Sequence, residues 1–205
     1  MSETWRVITP SPYEPIALEE AKAHCRITGN ADDALLAASI AAAREYVEGA
    51  GWVTLMPSVQ AVDVDAWSEL DGLRLPQPPI QNVTAVTYRD DADIESTLDV
   101  SAYRVDTVTG RIIVRRNATL PTVELRESGA ITVTYLAGHH NALATAETAP
   151  AIRAALPQAL VAALKLVVGH LYENREGSVI GAGLMVGTLP MGVDALLRLH
   201  RPFRF

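Results

Sequence analysis

The chain has 205 residues, 49% hydrophobic and 20% charged, enough for one domain with a real core or a small domain carrying an insertion. Seventeen basic against 24 acidic side chains give a net charge of −7, which argues against a protein that wraps a phosphate backbone. The lone cysteine, Cys25, excludes an internal disulfide framework and any multi-cysteine zinc site.

Met1 to Pro10 is polar and lacks the apolar stretch of a secretion signal. Residues 16–51 read as helical. Leu18 to Ile27 forms a short amphipathic helix with Leu18, Ala21 and Cys25 near one face and Glu19, Glu20 and Lys22 outside. Gly29-Asn30 breaks it, and Asn30 is the expected N-cap of a second helix, with Asp32 and Asp33 in the favourable first turn. There Leu36, Ile40, Ala43, Val47 and Ala50 recur at helical spacing, while Ala37, Ala38, Ala41 and Ala42 would let another helix approach closely. Arg44 and Glu48 form an i,i+4 pair on the wet side, and Gly49 and Gly51 end the helix.

Between residues 52 and 137 the period changes to two. Val59–Val64, Leu73–Leu75, Val83–Tyr88, Tyr103–Asp106, Arg111–Val114 and Ala130–Tyr135 are short runs rich in Val, Ile, Thr and Tyr. Turn signals at Pro76-Gln77-Pro78-Pro79, Asp90-Asp91 and Thr109-Gly110 separate them, as in an antiparallel β module of five or six strands. Helix returns at Pro150, and Pro157 sits well at the start of a longer one with Leu160, Val161, Leu164, Val168 and Leu171 on one side. Residues 177–187 are glycine-rich, followed by the apolar stretch Val193–Leu199 and the end Arg201-Pro202-Phe203-Arg204-Phe205. The longest apolar run, Ala159–Gly169, is interrupted by Lys165 and falls short of the ~20 residues of a membrane span. The expectation is a protein of a reducing, soluble compartment with no membrane partner.

Chemistry-bearing motifs are weak. Gly181, Gly183 and Gly187 miss the dinucleotide fingerprint by one residue and follow a helix where a strand is required. His139-His140 closes the last strand, where adjacent side chains point to opposite faces and share a metal poorly. Asp91, Asp93 and Glu95 alternate like a calcium loop, but Ser96 replaces the sharp-turn glycine and the distal glutamate is missing, so a solvated hairpin tip is expected. Cys25 reads as helix packing, and no serine-hydrolase, phosphate-loop or zinc-protease motif occurs. No catalytic residue, cofactor or metal site is expected. The alternative is a small soluble enzyme or ligand-binding module using the loop at His139-His140-Asn141. Residues 177–205 carry Arg198, Arg201 and Arg204 against Asp194 alone, so the acidic excess lies in the rest of the chain.

Read in order, the motifs resemble the head–tail connector (adaptor) proteins of long-tailed bacteriophages and of gene transfer agents. The matching stretches are Leu18-Glu19-Glu20-Ala21-Lys22-Ala23-His24, Asp32-Asp33-Ala34-Leu35-Leu36 and Ala42-Ala43-Arg44-Glu45-Tyr46-Val47-Glu48. Further on come Leu75-Pro76 through Pro79-Ile80 to Val86-Thr87-Tyr88, then Val133-Thr134-Tyr135-Leu136-Ala137-Gly138. The most specific is Leu171-Tyr172-Glu173-Asn174-Arg175-Glu176, followed by Leu189-Pro190-Met191-Gly192-Val193 and Leu196-Leu197. Ala17, where such proteins usually have a hydroxyl N-cap, and Cys25, where an aliphatic residue is commoner, depart from the pattern. The resemblance implies a structural protein without catalysis: a ring, usually of twelve copies, below the portal protein. Such a ring extends the DNA channel without binding DNA tightly and joins the head to the next neck or tail protein. It also implies a place in the virion neck, with assembly in the cytoplasm of a bacterial host.

The resulting expectation is an α+β fold: a small helical bundle interrupted by an antiparallel β module. Residues 1–176 form one connector domain (helical 16–51 and 150–176, β module 52–138), and 177–205 a flexible docking tail. The stripe Leu36, Ile40, Ala43 and Val47 should face Leu160, Leu164, Val168 and Leu171. Tyr172, Glu173, Asn174, Arg175 and Glu176 are candidate ring contacts, with Arg175 pairing a carboxylate of its own or a neighbouring subunit. Phe203 and Phe205 are candidate anchors on the portal, with Arg198, Arg201 and Arg204 meeting acidic groups there.

Overall fold

The computed structural model describes residues 4–174 and 191–200. The chain divides into a β unit, Met1–Pro12 with Met56–Thr145, and a helical unit, Tyr13–Leu55 with Ala146–Phe205. This bears out the α+β class and the interruption of helices by a β module.

In the helical unit, α1 (Leu18–Cys25) starts at Ala17, which has no side-chain cap, and ends at Arg26 in the left-handed region. Helix α2 (Asp33–Gly51) carries the apolar stripe, with Leu36, Ile40, Ala43 and Val47 all at most 2% exposed. It packs against α5 (Gln158–Glu173), whose Leu160, Leu164 and Val168 are fully buried, as two stripes of helical period require. A short helix, α4 (Ala149–Ala155), precedes α5 at a bend of 104°. No single helix among the described residues is long and apolar enough to cross a membrane.

One expectation is corrected here. Asn30 does not cap α2; Asp32 occupies that position, and the Asn30 amide oxygen instead accepts a 2.7 Å hydrogen bond from Lys22 Nζ. A lysine folded in to 6% exposure needs such acceptors, and its second is Asp33 Oδ1 at 2.8 Å. Within the stretch 177–205, expected to be held loosely, Met191–Arg198 is a helix, α6, packed on α5 and α2, while 177–190 and 201–205 lie outside the described residues. Val193 and Leu197, one turn apart, are each 1% exposed.

The β unit is built on a five-stranded antiparallel sheet in the order β1-β2-β7-β3-β4. Its strands are β1 (Thr4–Thr9), β2 (Ser58–Val64), β3 (Ile80–Arg89), β4 (Glu95–Thr97) and β7 (Ile131–Ala137). Strands β5 (Tyr103–Asp106) and β6 (Arg111–Val114) pair as a separate hairpin, and α3 (Trp67–Leu70) is a single turn. Alternate residues of β2, β3 and β7, among them Val62, Val64, Val86, Ile131, Val133 and Tyr135, form one core with Leu70, Leu73, Leu75 and Ile112. Two readings change in this unit. Leu73–Leu75 supplies core side chains and pairs with the β6 segment as an isolated antiparallel bridge at Arg74–Arg111, with Ile112 N–H donating to the Leu73 carbonyl at 3.0 Å and Leu75 N–H to the Gly110 carbonyl at 2.8 Å, but forms no strand of its own. Residues 4–9, read as merely polar, form β1 on the sheet's edge.

Candidate functional site

Each unit presents some of its polar groups to solvent and uses others internally. The proposed ring-contact cluster lies at the C-terminal end of α5. There the Tyr172 hydroxyl donates a 2.6 Å hydrogen bond to Asp32 Oδ2, tying the end of α5 to the start of α2. Asn174 Nδ2 donates to the His170 carbonyl at 2.9 Å, closing the last turn. Glu173 is exposed and lies near Cys25, whose thiol is pushed up first by burial and then by the Glu173 charge. Two members of the cluster therefore serve the fold of their own chain and Glu173 faces solvent, while Arg175 and Glu176 lie outside the described residues.

Of the portal-docking candidates, Arg198 already holds Asp194 through two nitrogens, at 2.8 and 2.7 Å, within α6. Arg201, Phe203, Arg204 and Phe205 lie outside the described residues.

A charged cluster the sequence showed only in part sits where the chain leaves the helical unit. Arg44 holds Glu14 at 2.9 Å and Glu48 at 3.2 Å, and Glu48 Oε1 accepts the Leu55 amide at 2.9 Å. Arg153 donates to the Glu14 carbonyl at 2.8 Å. Burial pushes the Glu48 carboxyl above its ordinary value, against the opposing pull of the Leu55 amide and Arg44. The i,i+4 pair read from the sequence is thus half of a network that fixes the backbone at Glu14 and Leu55. Lys22 is held above its usual value, chiefly by its hydrogen bond to Asp33. These groups bind each other within the helical unit.

In the β unit, the His140 ring nitrogen Nδ1 lies 3.2 Å from the Ala142 amide and carbonyl, a local loop contact. No group of three or more potential metal ligands occurs among the described residues. An open cleft of 420 Å³ is lined by Asp99, Ser101, Arg115 and Asn117 among others, none of them histidine or cysteine. More conspicuous are the sheet edges, which the sequence reading missed. All six residues of β1 are exposed, including Trp5, Val7 and Ile8. At the other end, Ile94 and Val100 stand exposed on either side of β4.

Comparison with known proteins bears out the resemblance. Residues 15–76, covering α1, α2, β2 and α3, match the family model of the Phage gp6-like head-tail connector proteins. No curated protein matches the chain. Among solved structures, the chain is similar to one in the neck of an empty gene transfer agent (GTA) particle computed with C6 symmetry. The identity is 27% and the TM-score 0.76, over 98% of this chain and 97% of that one. A chain in the neck of the native GTA particle, computed with C12 symmetry, matches at 26% identity and a TM-score of 0.70 over the same shares. These likenesses support a structural connector and lend nothing to the enzyme alternative at His139-His140.

Proposed function

We propose that this protein is a structural head–tail connector of a tailed phage or gene transfer agent, a ring-forming neck component that performs no catalysis. The observation that carries the reading is similarity along the whole chain, covering both units, to chains in particle necks. Their C6 and C12 symmetries support a ring, and twelve copies is the number proposed. Below the portal, that ring continues the channel through which DNA passes and offers its far side to the next neck or tail protein. An acidic chain suits this task, since a net charge of −7 lets a polyanion slide past without releasing counterions. Assembly in the cytoplasm of a bacterial host belongs to the same proposal.

The proposed portal anchors are Arg201, Phe203, Arg204 and Phe205, with Arg198 in support. Tyr172, Glu173, Arg175 and Glu176 remain proposed contacts between subunits, Tyr172 while also tying α5 to α2 through Asp32. Because α6 belongs to the helical core, the truncation that tests the anchors ends after His200 and keeps Val193 and Leu197. Loss of incorporation into filled heads is the expected outcome, and normal tailed particles would sink the portal assignment. The connector reading itself is tested by deleting the gene and imaging particles by cryo-electron microscopy. Filled heads without tails are expected, with the wild-type chain traceable in the neck; normal tailed particles from the deletion would refute it.

A further inference from the structure

The sheet of the β unit ends in two unlike edges, and the character of each points to what covers it. Strand β1 pairs with β2 and stands at the end of the strand order, so its other side is an edge of the sheet. Its register places Trp5 opposite Val62 and Val7 opposite Gln60, so both side chains lie on the face that carries the core, and Trp5 Nε1 donates to Gln60 at 2.9 Å. Yet Trp5 is 39% and Val7 44% exposed, and Ile8, where the register shifts, is 49% exposed. Natural sheets blunt such an edge with a lysine, a proline or an outward charge. Strand β1 has no lysine or proline; its one charge, Arg6, is bound to Asp63, and its register shift between Val7 and Thr9 still leaves Trp5, Val7 and Ile8 uncovered.

The opposite edge, β4, is three residues long and flanked by Ile94 at 61% and Val100 at 70% exposure. Its charge is also satisfied internally, with Glu95 held by Arg89 at 2.8 Å. Bringing the two edges together therefore covers apolar side chains from both and strands no unpaired charge. The pairing has a direction as well. A closed ring needs a head-to-tail contact between two different patches, whereas β1 against β1 would make an isolated pair and stop.

We propose that β1 of one copy docks on the β4 edge of a second copy, joining neighbouring subunits sheet to sheet around the ring. The inference rests on the ring reading above and names its contact. In one chain the two edges lie at opposite ends of the sheet, four strand spacings or roughly 19 Å apart. That exceeds the ~7 Å between Cα atoms that a disulfide can bridge, so a β1–β4 cross-link reports two copies.

The test uses the full chain with Cys25→Ser, carrying Val7→Cys and Ser96→Cys together, incorporated into particles and mildly oxidised. Thr9→Cys with Thr97→Cys, and Val7→Cys with Thr97→Cys, cover neighbouring registers. The expected result is a ladder of covalent multimers on a non-reducing gel from at least one pair, with each single-cysteine chain remaining monomeric. Dimers from Val7→Cys alone would overturn the proposal in favour of a β1–β1 contact. A cross-link from Val7→Cys to another virion protein would assign the edge to that partner. Normal necks with no ladder from any pair would also overturn it while leaving the connector role intact. Absence of the Cys25→Ser parent and the wild-type chain from necks would instead strike at the connector role.

Discussion

Leu164→Ala is expected to destabilise the helical unit by about 3–4 kcal/mol. Leu164 is fully buried on α5, and the stripe of α2 that this helix packs against is buried as well. Because α5 also contacts α1 and α6, helices on several sides hold the position open and limit collapse after truncation. The substitution deletes three carbons, worth about 0.8 kcal/mol each in transfer from water, or about 2.4 kcal/mol together. A residual cavity of about 50 Å³, at ~24 cal/mol per Å³, adds about 1.2 kcal/mol. Urea denaturation followed by circular dichroism at 222 nm reports mainly on this unit, which contains the long helices. The midpoint should fall by roughly 1–2 M urea at an ordinary denaturant slope. Leu166→Ala on the same helix is the control, since that side chain is 36% exposed and should cost under ~1 kcal/mol. Equal shifts for the two variants, or a loss below ~1 kcal/mol at Leu164, would refute the assignment of this helix face.

Gly138→Ala should cost more than ~3 kcal/mol, because Gly138 has φ +119° and an added Cβ would lie 2.7 Å from Pro57 Cα, where backbone must move. A thermal melt within a few degrees of wild type would contradict this, and Gly72→Ala, with φ +82° but open space around it, should be the milder change. Tyr172→Phe loses the hydrogen bond to the Asp32 carboxylate and should cost about 1–2 kcal/mol in the same urea assay. The folded state raises the Glu48 pKa and so binds its proton more tightly than the unfolded chain does. The stability Glu48 contributes is then full below the unfolded value and is lost as pH rises through the folded value. Relative to Glu48→Gln, the wild type should be favoured most below the ordinary glutamate value and progressively less as pH rises toward neutrality; paired urea titrations showing the opposite slope would exclude burial as the dominant cause. Finally, micromolar protein should not retard duplex DNA in a gel at physiological salt, given the net charge of −7; a salt-insensitive shift would contradict that.

The helices were legible in the sequence because their burial is one-sided. Leu36, Ile40, Ala43 and Val47 on α2, with Leu160, Leu164 and Val168 on α5, repeat at helical period, and the structure buries these positions. Strand β1 was not legible for the converse reason. With all six residues exposed, no buried face imposes an alternation, and only pairing with β2, more than fifty residues later, makes it a strand. In β3 the register shifts at 80–82 and 83–85 break the period, so the alternating run read from the sequence began at Val83 and missed its first residues. Leu73–Leu75 reads as a strand of its own, yet its pairing stops at a single bridge, because apolar composition reports burial and does not set how far pairing extends. At the helix end, the density of polar groups at Tyr172–Glu176 was visible, but Tyr172 turning to Asp32, 140 residues away, depends on the fold.

The order in which the segments occur along the chain has a consequence for synthesis. Helices α1 and α2 leave the ribosome with their apolar stripe uncovered, and α5, which covers it, follows only after the whole segment 56–145 has been made. The β unit, by contrast, has all its strands once residue 137 has emerged. All strands of the sheet are thus available before the helical unit can close, and Val193 and Leu197 of α6 are the last buried side chains to emerge. A chain interrupted before α5 would keep Leu36, Ile40 and Val47 open to water, a ready target for chaperones and proteases. Incomplete chains would thereby tend to be cleared before they could poison a many-copy assembly.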